Sequence, residues 1–513
     1  LSDKDSLSKR FSFRLVGNLS GMIVTSLTVA LSARALGPTD YGRYVYLSAF
    51  MFQALSLSEC GIPEAFFFKM SRHPGHDQSL RFFQRLFFGF GITFFVFVSL
   101  FLFLGFGERL WPGINKGNVL IGAVLAFATW FGFRVNQLVD ALGFTVKAEK
   151  IRLIQRLLFL SVLWALISFG KLGLRGFLLY QTLSAVFVVM CLVLLIDGFF
   201  LPLRSWRLPP TRETRVLWVD LFRFSSPLWV ASVILGLLSI IDRWVLQTFA
   251  GPIAQAFYGF GFQLVNIPVL FSVAMASLLT RDLSRAHERG DMGRLTHLFD
   301  VAPFFFFITA MLSGLLVISA PVVVNVLGGK EFQPAVNTLI LLTLHPVFAT
   351  YGQLLGGFLL ATGATRLYRN ALLYSGIFSL PLFWLIFPKA LYGAGLGSFG
   401  LALKTIIGEA LGINLILFFV ARGLHVSLRK LFFHEVLVLC LCFGPAVMIG
   451  AFMHGRFEPL TIALFGSFLC LIVWGGVVWK FPSLLWVHPE RIFVRLGIIK
   501  KWIYHSFRRE GTV

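Results

Sequence analysis

The sequence predicts an all-α polytopic membrane protein. About 14 transmembrane helices are expected, as two parallel six-helix copies with two extra helices at the C-terminal end. Three observations predict it. Of 513 residues 57% are hydrophobic and only 13% charged, against about 25% charged in an ordinary soluble domain. The apolar residues gather into runs of about 20, the helical length that crosses a bilayer. The basic residues alternate in density from one end of these runs to the other. A soluble globular protein, a disordered chain and a secreted disulfide scaffold are excluded by the same figures.

The apolar segments are 15–33, 44–66, 86–106, 118–140, 157–169, 177–199, 224–247, 254–279, 298–327, 334–360, 371–387, 391–420, 434–453 and 460–479. The fifth is the shortest. Helices are predicted because lipid leaves no partner for an unbonded backbone group. A β-barrel would alternate polar and apolar residues, and Phe94-Phe95-Val96-Phe97-Val98 does not.

Charge fixes the expected orientation. With the N-terminus inside, 33 of the 45 Lys and Arg residues fall on cytoplasmic stretches, nine on outer loops and three within spans. Lys and Arg collect on the cytoplasmic side, so both termini are expected there. The net charge of +22 therefore reads as membrane topology, and no nucleic-acid partner is expected. The first apolar run lacks a small-residue cleavage pattern and is read as a span, not a cleavable signal peptide.

The chain also repeats itself. Ala141-Leu142-Gly143-Phe144-Thr145 returns as Ala361-Thr362-Gly363-Ala364-Thr365. Ser71-Arg72, Gly75 and Leu80 return as Ser284-Arg285, Gly290 and Leu295. Arg34, Gly37-Pro38 and Tyr41-Gly42 return as Arg243, Gly251-Pro252 and Tyr258-Gly259. The offsets are 209, 213 and 220 residues, about six spans, and an even number keeps both copies pointing the same way. That is a parallel repeat about the membrane normal, an architecture found among transporters. The expected organisation is an N-terminal lobe 1–199, a basic cytoplasmic linker 200–223 with Pro202, Pro209 and Pro210, and a second lobe 224–421. Extra helices follow at 422–480, then a basic cytoplasmic tail at 481–513. The tail mixes Arg491, Arg495, Lys500 and Lys501 with Phe493, Leu496 and Trp502, a composition suited to an anionic leaflet or to a frayed end.

Enzyme motifs are scarce. No phosphate loop of the Gly-x-x-x-x-Gly-Lys-Ser/Thr type occurs, so ATP hydrolysis by that route is excluded. Gly395-Leu396-Gly397-Ser398-Phe399-Gly400 matches a dinucleotide fingerprint in form, but no strand precedes it, and close helix packing in the twelfth span is expected instead. Cys60, Cys191, Cys440, Cys442 and Cys470 all lie in apolar stretches and read as small buried hydrophobes. His73 and His76 flank Pro74-Gly75 and read as a solvated turn. No metal site and no resident cofactor are expected. The outer loops are short, which argues against a membrane glycosyltransferase or polymerase.

What remains is charge inside the membrane, where each ionised group costs about 2.5–3.5 kcal/mol on insertion scales and normally faces a partner or a wet cavity. Glu59 and Glu64 lie in span 2, Arg134 and Asp140 in span 4, Asp242 and Arg243 in span 7, Lys404 and Glu409 in span 12, and Arg34 closes span 1. One reading is structural: Asp242 satisfied near Arg243, and Lys404 paired with Glu409 five residues on. The functional reading gains from the presence of cations in both halves of the repeat. Arg134, with Asn136 and Gln137 after it, forms one polar patch on span 4. Pro227, Pro268, Pro303, Pro321, Pro346 and Pro381 free backbone carbonyls in or near spans, and Gly352-x-x-x-Gly356 and Gly408-x-x-x-Gly412 permit close helix approach.

The stretch Ala33-Arg34-Ala35-Leu36-Gly37-Pro38-Thr39-Asp40-Tyr41-Gly42-Arg43-Tyr44 resembles the end of the first span in polysaccharide exporters. These are the Wzx-type O-antigen flippases and their relatives in the multidrug/oligosaccharidyl-lipid/polysaccharide (MOP) superfamily. Asp242-Arg243 and Tyr258-Gly259 resemble that family's second half. The resemblance implies a MOP/MATE-like pair of six-helix lobes around a central cavity, moving by alternating access, and a polyprenyl-pyrophosphate-linked oligosaccharide as cargo. The first span carries Asn18, Ser20, Thr25 and Ser26 in place of the longer Arg-rich pattern expected of a lipid II flippase.

An anionic head group would need cations, and Arg suits it through its planar fork of donors. Arg34, Arg134, Arg243 and Lys404 are the candidates for substrate contact. Glu59, Asp140, Asp242 and Glu409 are the candidates for charge balance or for a coupling ion, Na+ or H+. The expected partners are the lipid-linked oligosaccharide and membrane lipids, with the polysaccharide polymerase and chain-length machinery as further partners. The expected location is the cytoplasmic (inner) membrane. The alternatives are a cation-coupled drug or metabolite antiporter of the same superfamily, a membrane glycosyltransferase or polymerase, and a structural scaffold for surface-polymer assembly.

Overall fold

The computed structural model describes residues 7–58, 77–142, 144–170, 172–196, 212–266, 268–269, 279, 282–424, 426–453 and 456–480. Glu59, Cys60, Glu64, His73, His76 and the tail 481–513 lie outside them. The described residues contain helices and turns and no strand. In chain order the helices are α1 (Leu7–Ser58), α2 (Asp77–Phe103), α3 (Lys116–Ala141), α4 (Thr145–Phe169), α5 (Leu174–Val193) and α6 (Arg212–Val265). They continue as α7 (Met292–Phe299), α8 (Val301–Gly328), α9 (Val336–Leu342), α10 (His345–Ala361) and α11 (Thr365–Ser379). The last three are α12 (Gly397–Gly423), α13 (Leu428–Met453) and α14 (Ser467–Lys480).

Each of the fourteen apolar segments holds helix among its described residues. Eleven stretches are long and apolar enough to cross a membrane. Two of them, Ser20–Leu57 and Val233–Val265, hold two predicted segments each, joined at a glycine. The segment 371–387 is met by α11 and the 3-10 turn Leu380–Leu385. The fifth segment is longer than its apolar core suggests: α4 runs from Thr145, so Lys147, Lys150, Arg152 and Arg156 are helical. Local pairing allows it, because buried Glu149 meets Arg152 at 2.7 Å and Arg156 donates to the Gly17 carbonyl at 3.0 Å.

The glycine joints explain why α1 and α6 are bent. Gly37 has φ 68° and ψ 171°, and Gly251 has φ 80° and ψ 179°, a region essentially closed to residues with a Cβ. Pro38 and Pro252 follow, each at the first position of the next helical limb, where a missing N–H is harmless. The repeat is therefore real at Gly-Pro, but its spacing there is 214 residues, from 37 to 251. The sequence pairing of Arg34 with Arg243 is corrected: at that spacing Arg34 corresponds to Thr248, and Tyr41-Gly42 to Gln255-Ala256. The two limbs cross on the same register. A Cβ on Gly42 would strike the Pro252 carbonyl and crowd the Ala256 nitrogen, and one on Gly259 would strike Val45. A second repeat match shares its helix ends and one hydrogen bond. Ala141 and Ala361 end their helices, Thr145 and Thr365 begin the next, and Phe144 and Ala364 each donate N–H to the carbonyl five residues back.

The chain divides into two compact units. The first comprises Leu1–Gly261, Asn325–Thr338 and Leu372–Lys404; the second comprises Phe262–Val324, Leu339–Ala371 and Thr405–Val513. The first is built on α1 to α5 around buried Tyr46, Phe87, Trp111 and Trp130. Its turn at 107–113 is tied down by Tyr46 donating to Leu110, Trp244 to Arg109 and Gln247 to Pro112. The second packs Phe306, Tyr351, Phe358 and Leu417 with α13 residues Leu431, Val438 and Cys442. Gly395 and Gly397, with φ 67° and 52°, lie in the turn that starts α12, and only Gly400 of that glycine run packs closely, against the Leu385 carbonyl.

Candidate functional site

Three of the sequence-predicted residues come together in the first unit. Asp242 and Arg243 sit two turns before the Gly251 joint of α6, and Lys404 is on α12. The Lys404 ammonium reaches Asp242 Oδ1 at 2.7 Å and lies 4.5 Å from the Phe383 ring centre. Their side chains are 4% and 22% exposed, so the pair is held largely out of solvent. Arg243 is directed away along the chain. Its guanidinium lies over the Tyr258 ring at 4.6 Å, and Gln255 donates to the Arg243 carbonyl at 2.9 Å. The bend at Gly251 makes this possible, because it folds the second limb of α6 back toward residues on the first. Lys404 is thus paired with the carboxylate, and each of the two cations lies over an aromatic face.

The other candidates are placed elsewhere. Arg34 is exposed and donates to the Asn325 and Val326 carbonyls at 3.1 and 2.6 Å. It caps the C-terminal end of α8, where helix carbonyls lack partners. A cavity of about 450 Å³ opens beside it, lined by Asn325, Gly329, Lys330 and Glu331. Arg134 is buried on α3, donates to Gln137 at 2.8 Å and lies over Phe133 at 5.2 Å. Asp140, one turn on, accepts from Asn136 at 3.5 Å.

Glu409 belongs to the second unit and pairs with His345, Nδ1 to Oε1 at 2.7 Å. The pairing of Lys404 with Glu409 is therefore corrected. At 100° per residue, positions five apart point about 140° away from each other on a helix. His345 was missed by the sequence reading, although the signal was present. It precedes Pro346 at the break between α9 and α10, and a broken spanning helix exposes polar groups. Glu435 and His434 on α13 were missed because that helix lies outside the repeat. Among the described residues no group of three or more His, Cys, Asp or Glu side chains is disposed to hold a metal ion. Cys440 is exposed and Cys442 buried on the same helix.

With this geometry in view, comparison with known proteins assigns the family. Residues 7–281 match the model of a family described as polysaccharide biosynthesis protein. The chain belongs to that family. No curated protein matches the sequence significantly. Among solved structures, the fold is similar to "Lipid II flippase MurJ, inward closed conformation", with a TM-score of 0.65 and 14% identity over 92% of this chain and 98% of that one. It is also similar to an inward-facing multidrug resistance MATE family transporter of the MOP superfamily. There the TM-score is 0.58 and identity 15%, over 79% of this chain and 96% of that one. The outward-facing form of a MATE family transporter gives a TM-score of 0.53 and 15% identity, over 83% and 98% of the two chains. This polysaccharide biosynthesis family member is thus a multi-pass membrane protein with a MOP transporter fold.

Proposed function

We propose that this chain is a flippase. It carries a polyprenyl-pyrophosphate-linked oligosaccharide, the repeat unit of an O-antigen or other surface polysaccharide, from the cytoplasmic to the outer leaflet of the inner membrane. The lobes 1–199 and 224–421 move by alternating access, with both termini cytoplasmic. One observation supports this best: Lys404 and Arg243 are carried on spanning helices of a polysaccharide biosynthesis family member, with Lys404 held by Asp242. An anionic head group is the cargo that cations at this depth in the membrane suit. Arg134, buried mid-span, is the next contact, and Arg34 the outermost. The neighbour named a lipid II flippase is in keeping with a lipid-linked cargo. No catalytic group is assigned.

The driving force on this reading is the membrane potential. A potential negative inside pushes anions outward, by about 2.3 kcal/mol per elementary charge per 100 mV. Flipping in vesicles that persists unchanged after the potential is collapsed rules this drive out.

The experiment that tests the function uses cells depleted of the protein. Lipids are extracted, polyprenyl-pyrophosphate oligosaccharides are quantified by mass spectrometry, and their exposure to an outside-acting glycosidase is measured. Complete, inward-facing units accumulate if the chain is the flippase. No accumulation favours a cation-coupled antiporter of the same fold, and single units already facing outward favour a polymerase.

A further inference from the structure

The second unit holds a buried acid that the cargo site does not use. Glu435 lies seven residues into α13, roughly 10 Å along the helix at 1.5 Å per residue, and is 4% exposed. Its Oε1 accepts an N–H from Asn414 of α12 at 3.2 Å. The second amide hydrogen of Asn414 goes to the Ala410 carbonyl at 2.9 Å, so that side chain has no further donor to give. Glu435 Oε2 is buried and has no hydrogen-bond partner among the described residues. The fully buried Tyr351 hydroxyl of α10 is likewise without a hydrogen bond among them, and it lies within electrostatic reach of Glu435. Phe306 of α8 closes the site with its ring, 4.7 Å from that of Tyr351 and 6.4 Å from that of His434.

These contacts suit a carboxylic acid and not a carboxylate. An ionised Glu435 would meet one neutral donor and no Lys or Arg ion pair among the described residues. A protonated Glu435 keeps the Asn414 bond to Oε1 and buries no net charge. Among the described residues, the titratable groups seen beside it are Tyr351 from α10 and His434 from its own helix; α12 contributes neutral Asn414 and α8 the Phe306 ring. Glu409, five residues before Asn414, is occupied by His345.

We infer that Glu435 is a proton-binding site: Oε2 carries a proton while it is buried in this arrangement and releases it to bulk water once water reaches it. The step is dissociation of one O–H bond, with the electron pair left on the carboxylate and no other reactant. It does not rest on the flippase reading.

The test is infrared titration of the purified full chain in phosphatidylcholine vesicles, with no cargo present. The expected result is a carboxylic-acid carbonyl band at neutral pH that fades with a single midpoint as pH rises and is missing from Glu435→Gln. Tyr351→Phe, which keeps Glu435, is expected to move that midpoint by several-fold in proton affinity. Superimposable spectra of wild type and Glu435→Gln at every pH overturn the inference, as does a band that never responds to pH. If Glu435→Gln does not fold, Tyr351→Phe and Asn414→Leu decide: a band that moves in either supports the site, and one unmoved in both overturns it. Because no cargo is involved, failure here and failure of the flippase reading are separate results.

Discussion

Breaking the Lys404–Asp242 pair from each side in turn separates bracing from cargo binding. At 2.7 Å the gross attraction is about 6 kcal/mol with an effective dielectric of about 20. Desolvation offsets much of it, and stranding one partner of a buried pair costs about 3–5 kcal/mol. The two sides are not equal. Asp242→Asn strands Lys404, 4% exposed, and is expected to cost that full amount. Lys404→Met strands Asp242, 22% exposed, where solvent screens the charge, and is expected to cost about 1–3 kcal/mol. The double substitution leaves no stranded charge and is expected within about 1 kcal/mol of wild type. Unfolding of purified protein in graded denaturing detergent measures all four species. A double variant as unstable as Asp242→Asn alone refutes the reasoning, as does an inverted order of the single variants. Flipping measured on the same proteins completes the test. A stable double variant that no longer flips cargo assigns substrate contact to these side chains, whereas one that still flips reduces the pair to a brace.

Gly42→Ala drives a methyl into the Pro252 carbonyl and is expected to cost about 1–3 kcal/mol through overpacking, read as a lowered melting temperature. Gly37→Ala is expected to lose a similar amount for another reason, its φ of 68° with ψ 171°, and the neighbouring Pro38 gives the backbone no easy relief. His345→Leu removes the donor to Glu409 and leaves both carboxylate oxygens unmet among the described residues. A loss of about 1–3 kcal/mol is expected, with His345→Gln recovering part of it in the same melt. Arg34→Ala removes two charge-assisted bonds to the end of α8, but its exposure limits the stability loss to about 1 kcal/mol. Any larger defect in flipping at normal protein level marks Arg34 as a cargo contact.

Sequence alone determined the membrane-spanning segments, because hydropathy and the need to bond every backbone group within a helix are local properties. It also paired Gly37-Pro38 with Gly251-Pro252 and 141–145 with 361–365 as repeat copies, and that two of these positions are helix joints came from the structure. It singled out Asp242, Arg243 and Lys404 by the expense of charge in lipid, before any partner was known. Tertiary structure alone decided the pairing. Lys404 meets a carboxylate far back in the chain instead of Glu409 on its own helix, and Arg34 serves carbonyls of α8. It likewise revealed His345 behind Glu409, and Asn414 and Tyr351 around Glu435. A partner brought by another helix leaves no trace in local composition. Which face of a helix meets which neighbour follows from packing the whole bundle, and one sequence read along its length does not contain it.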